Sequence, residues 1–107
     1  MLNMEYLIKH LDHTDRRIKK IAIHYGYDVE SIKLVEEMSE LTQAICKHRE
    51  SKDKAKTLNN IKGEMADVYV VLEQMKYLLN ISDEDIEELK EFKINRQLIR
   101  MKTEGEK

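Results

Sequence analysis

Apolar residues recur at Leu34, Met38, Leu41 and Ile45 in steps of four, three and four, the rhythm of a helix that turns one side toward a core. A second run, Ile61, Met65, Val68, Leu72, Met75 and Leu79, keeps the same rhythm, and Val71 and Leu78 extend it onto a neighbouring face. Between Met65 and Leu72 the segment is apolar nearly all round, as expected of a central helix covered by a bundle or by a partner chain. No segment shows the alternation of a strand. The pattern therefore predicts an all-α protein, a bundle of four to five helices.

Local signals divide this pattern into elements. A first helix is expected over residues 3–25, anchored by Leu7, Leu11, Ile18, Ile21 and Ala22, with a break at residues 12–15 and a stop at Gly26. A second is expected over 29–49, with Asp28 as N-cap and Lys47, His48 and Arg49 suited to the negative end of its dipole. Residues 50–57 are polar and lysine-rich and read as a mobile loop whose lysines reach toward a phosphate. A third helix follows over 58–79. Ser82 and Asp85 match a capping box that opens a fourth helix over 83–102, and 103–107 reads as a frayed tail.

Composition narrows the picture. The chain has 107 residues, no Pro, three Gly and 37% charged residues, which fits one helical domain, 1–107, with short connections. Its large surface relative to volume makes oligomerisation useful. A net charge of −2 argues against a nucleic-acid polymer as partner. The single cysteine, Cys46, forms no internal disulfide framework and falls on the opposite flank of its helix from the acids. No signal peptide or membrane-length apolar run is evident, so a cytoplasmic protein without membrane contact is expected.

The chemistry lies in two acidic clusters. Glu36, Glu37 and Glu40 share one arc of the second helix, and Glu64 and Asp67 share a face of the third, after a spacer of 23 residues. Apolar residues surround the second pair. Carboxylates at the edge of a core are costly and repel one another unless a cation compensates them, and oxygen-only ligands suit Mg²⁺ or Mn²⁺. On the fourth helix, Lys93, Arg96 and Arg100 project to the same side as Ile86 and Leu89, so cations stand where core residues are expected. Phosphate binding accounts for Lys93 and Arg96; snorkelling or ion pairs with Glu88 and Glu91 are equally open for Arg100.

The pattern Glu36-Glu37-x-x-Glu40, the spacer, and Glu64-x-x-Asp67 on a long apolar helix resembles the signature of the MazG-like, all-α NTP pyrophosphohydrolase superfamily. The resemblance runs from about residue 21 to 101. It includes the Tyr25-Gly26 pair, the apolar continuation from Asp67 to Leu72 and the Lys93-x-Asn95-Arg96 segment. It implies the all-α NTP pyrophosphatase fold assembled with a partner chain as a homodimer or homotetramer. It also implies Mg²⁺-dependent hydrolysis of nucleoside or deoxynucleoside triphosphates to the monophosphate and pyrophosphate. By position, Glu37, Glu40, Glu64 and Asp67 are the implied metal ligands. Glu36 either completes a second metal site or orients the attacking water, and Lys93, Asn95 and Arg96 contact phosphate. The tryptophan that many relatives carry before the Gly is replaced here by Ile23-His24-Tyr25, so an aromatic partner for the base is a Tyr.

Four rivals frame this reading. A di-iron bundle needs Glu-x-x-His pairs, and none of His10, His13, His24 and His48 has Glu three residues before it. His10-x-x-His13 offers only two of the ligands a zinc site needs. Phosphoribosyl-ATP pyrophosphohydrolase activity shares the fold and metal logic. A non-enzymatic dimerisation or regulatory module, in which the acids only pair with basic residues, predicts no metal dependence.

Overall fold

The computed structural model describes residues 3–5 and 12–105, and these contain three long helices and no strand. Helix α1 spans Arg16–Glu50, α2 spans Lys54–Leu78 and α3 spans Asp83–Thr103. The anchors expected at Leu7 and Leu11 lie outside the described residues. The break expected at 12–15 is present: these residues are non-helical, and Asp15 caps α1 by accepting from the Arg17 amide at 2.8 Å. Its carboxylate also pairs with the Arg17 guanidinium at 2.7 Å, which holds the Asp15 pKa down from 3.8 to about 2.

Gly26 stops the first helix as expected, but the next helical arm follows at once, so α1 is two helices joined across a kink. The Gly26 backbone sits at φ 81°, ψ 173°, a region open almost only to glycine, and α1 continues on both sides. Asp28, expected as an N-cap, lies inside α1 for the same reason: one residue absorbs the whole change of direction. Across the bend, the Lys19 ammonium stands 5.7 Å from the centre of the Tyr77 ring and ties the first arm of α1 to the end of α2.

The mobile loop expected over 50–57 is instead a turn of three residues. Asp53 caps α2 by accepting from the Lys56 amide, so helix resumes at Lys54, four residues earlier than the polar composition suggested. Lys54 donates to the last carbonyls of α1, those of His48 and Arg49, and His48 Nδ1 meets Thr57 Oγ1 at 2.8 Å. So short a connection makes α1 and α2 an antiparallel hairpin, and they form one compact unit, Thr14–Asn80.

The seam of the hairpin corrects the expected core stripes. On α1 the buried residues beyond the bend are Glu30, Glu37 and Ala44, seven apart; on α2 they are Val68, Val71, Gln74 and Met75. Leu34 and Leu41 are half-buried, while Met38 and Ile45 are exposed. Met65, Leu72 and Leu79, also expected inside, are each 40% or more exposed. Both helices carry a second apolar stripe beside the one they bury, and by helical projection these stripes fall on one side of the hairpin, its apolar back.

Helix α3 belongs to the other compact unit. Ser82 caps it as expected, accepting from the Asp85 amide at 3.0 Å, and Asp83, Glu84 and Asp85 favour its positive end. No residue of α3 is buried, so the inward face of cations is not present among the described residues. Lys93, Arg96 and Arg100 are exposed, and Arg96 lies over its own helix's Phe92 at 5.7 Å.

Candidate metal centre

The acidic clusters meet across the front of the hairpin. Glu37 and Glu40, one turn apart on α1, and Glu64 on α2 each place a carboxylate oxygen within 4.8 Å of the others. The seven-residue spacing that buries Glu30 and Ala44 also buries Glu37, only 6% exposed, whereas Glu64 is half-buried and Glu40 exposed. Lys33 Nζ lies 3.1 Å from Glu37 Oε1 and neutralises one carboxylate. Glu37 Oε2 and Glu64 Oε2 are buried with no hydrogen-bond partner among the described residues. A buried oxygen left so costs free energy unless a ligand satisfies it.

Asp67 stands one turn beyond Glu64 and lines the groove on either side of the cluster, so it borders the centre without joining the three. Glu36 is exposed and lies outside the cluster; its charge is felt by Lys33. Lys93, Asn95 and Arg96 are exposed on α3, in the other unit. His13 is exposed, and His10 lies outside the described residues.

Two groove halves flank the cluster. One, about 540 Å³, runs from Glu37 and Asp67 toward Ile21, Tyr25, Val29 and Val70 and is largely apolar. The other, about 380 Å³, runs from Glu40 and Glu64 toward Lys47, Asn59, Asn60 and Gly63 and is polar. Sequence reasoning passed over Lys33, Asn59 and Asn60, and also Glu30 and Gln74, which lie deep in the apolar half. The signal for Glu30 was its seven-residue step to Glu37, and for Gln74 its seven-residue step from Asp67. Burial holds the Glu30 carboxyl above its ordinary value, opposed by the charge of Lys33.

The donor set suits a hard divalent cation. It is all oxygen and two atoms lack partners. The three oxygens lie within 4.8 Å of one another, near enough to share one cation after small side-chain rotations, since oxygens around one Mg²⁺ stand roughly 3–4 Å apart. The negative charges of Glu37 and then Glu64 hold the Glu40 carboxyl above its ordinary value. The folded-state pKa thus exceeds the unfolded one, so this penalty is absent at acid pH and grows as pH rises through the folded value. Glu40→Gln is therefore expected to raise the melting temperature of the metal-free protein at neutral pH and not at pH 4. It is also expected to weaken Mg²⁺ binding by at least the roughly 10–100-fold seen when a metal's supporting groups are removed. Thermal melts with and without Mg²⁺ check both halves; a variant that melts lower without metal and keeps its Mg²⁺ response contradicts the cluster.

The chain matches no protein-family model, no curated protein and no solved structure.

Proposed function

We propose that the protein is a Mg²⁺-dependent nucleoside or deoxynucleoside triphosphate pyrophosphohydrolase of the MazG-like, all-α type, with Mn²⁺ able to substitute. The observation that carries this reading is the unpartnered Glu37 Oε2, buried in a three-carboxylate cluster that faces an open groove. Glu37, Glu40 and Glu64 hold the cation, and Asp67, bordering both groove halves, completes the set. Glu36 either serves a second cation or orients the attacking water. Bound there, Mg²⁺ supplies positive charge against the triphosphate oxygens and lowers the pKa of a water.

The chain's own residues do the rest. The hairpin seam fixes Glu37 in one orientation, and Lys33 gives it a countercharge. The polar half, with Lys47, Asn59 and Asn60, offers donors to the phosphates, and the resemblance implies phosphate contacts from Lys93, Asn95 and Arg96. Water cleaves the bond between the α and β phosphates, so one monophosphate and one pyrophosphate leave and no protein nucleophile is consumed.

The exposed apolar back supports assembly with a second copy into a four- to five-helix bundle in a homodimer or homotetramer, because a monomer leaves Met65, Leu72 and Leu79 in water. Among the described residues no helix is long and apolar enough to cross a membrane. The salt-bridge module draws support from the Lys33–Glu37 pair, but among the described residues no ion pair within contact distance holds Glu40 or Glu64. Incubation with a panel of NTPs and dNTPs is expected to release pyrophosphate with Mg²⁺ or Mn²⁺ and none with EDTA. Absence of metal-dependent release from every substrate overturns the proposal.

A further inference from the structure

The deep end of the apolar groove half holds two buried polar groups that the hydrolytic reading does not use. Glu30 is 4% exposed and Gln74 3%, on facing helices, and both line this half of the groove. Glu30 Oε2 and Gln74 Oε1 have no hydrogen-bond partner among the described residues. Native proteins rarely leave such atoms orphaned, so two along one groove mark a place where a ligand supplies the missing donors. Apolar Val29 and Val70 line the same half, and Tyr25, set edge-on to His24 with centroids 4.7 Å apart, supplies an aromatic ring.

Both orphaned atoms are acceptors, so the ligand brings donors, and a groove with apolar walls and an aromatic residue suits a planar heterocycle. An exocyclic amine carries two N–H bonds to offer such acceptors. The terminal torsions of Glu and Gln are broad, so small rotations turn these oxygens to the ligand.

We propose that this groove half is a nucleobase subsite that selects bases carrying an exocyclic amine, with Glu30 and Gln74 as its specificity residues and Tyr25 as its stacking partner. It rests on the nucleotide reading of the neighbouring metal centre. Adenine and cytosine supply donors to these oxygens. Hypoxanthine and uracil turn a carbonyl oxygen where the amine would be, which leaves acceptors facing acceptors.

Free nucleosides test the subsite without phosphate, metal or turnover. Adenosine against inosine, and cytidine against uridine, are titrated into the protein while the backbone amides of the groove residues are followed by NMR. The amine-bearing member of each pair is expected to bind at least about tenfold tighter, the worth of roughly one net hydrogen bond. Gln74→Leu, similar in shape, is expected to stay folded and to bind each pair equally, and Glu30→Gln to lose most of the preference. Equal binding of the pairs by the wild type, or no binding of any nucleoside at millimolar concentration, overturns the subsite. The same holds if folded Gln74→Leu and Glu30→Gln keep the full preference.

Pyrophosphate release separates the two readings. Metal-dependent release without base preference leaves the hydrolase standing and the subsite refuted. Selective nucleoside binding with no release from any triphosphate does the reverse.

Discussion

Glu37→Gln is expected to lower metal-dependent pyrophosphate release by roughly 10²–10³-fold, the scale lost when a preorganised electrostatic group is removed from an active centre. Glu37 is the most buried member of the carboxylate cluster, and the seam between α1 and α2 sets its position. Glutamine keeps the shape and removes the charge, so the backbone has no reason to move. Circular dichroism is expected to match wild type. Lys33, now facing a neutral amide, loses its ion pair but stays half in water. Added Mg²⁺ is expected to raise the wild-type melting temperature, because a ligand bound only by the folded state stabilises it by mass action. In the variant that rise is expected to shrink sharply. Full activity in a folded Glu37→Gln protein removes the metal centre from the argument, and the salt-bridge module then becomes the better reading.

Gly26→Ala is the second change with a large expected effect, and it acts on stability. The added methyl meets no atom within 4 Å, so nothing steric in the packing opposes it. The cost is conformational: φ 81° with ψ 173° is a region that a residue with a Cβ occupies at about 1–3 kcal/mol. For a domain of this size each kcal/mol lowers the melting temperature by roughly 4–8 °C. Gly63, helical and equally unobstructed, is the control; alanine there is expected to stabilise by about 0.5–1 kcal/mol. The bend also matters to the groove. Ile21 and Tyr25 precede it, Val29 and Glu30 follow it, and all four line the apolar half. Straightening α1 at residue 26 therefore shifts one wall relative to the other, and Gly26→Ala is expected to weaken nucleoside binding as well. An unchanged melting temperature means that the chain does not hold this backbone conformation in solution.

Much of the architecture was legible because it is local. Helical period, the Asp-rich break at 12–15, the Ser82 cap and the special demand at Gly26 each depend on residues a few positions apart. The spacing of Glu37, Glu40 and Glu64 placed them on helix faces able to converge, and they do converge. Composition misled at residues 50–57, where lysine and polarity suggested a loop. A single side chain, Asp53, starts the helix there, and its cap outweighs the lack of apolar periodicity.

The sequence by itself determined that the chain is helical, that its helices carry apolar stripes, and that five acids fall in two groups at helical spacing. Tertiary structure alone decided which stripe is buried. Each of α1 and α2 has two candidate faces. Periodicity reports that a face is apolar and says nothing of what stands opposite. The three-residue turn sets the hairpin, and its seam takes in Glu30, Glu37 and Gln74 while Met38, Met65 and Leu72 stay outside. Burial of those polar groups, and hence their unmet hydrogen bonds, is a property of two helices brought together, which neither helix encodes alone.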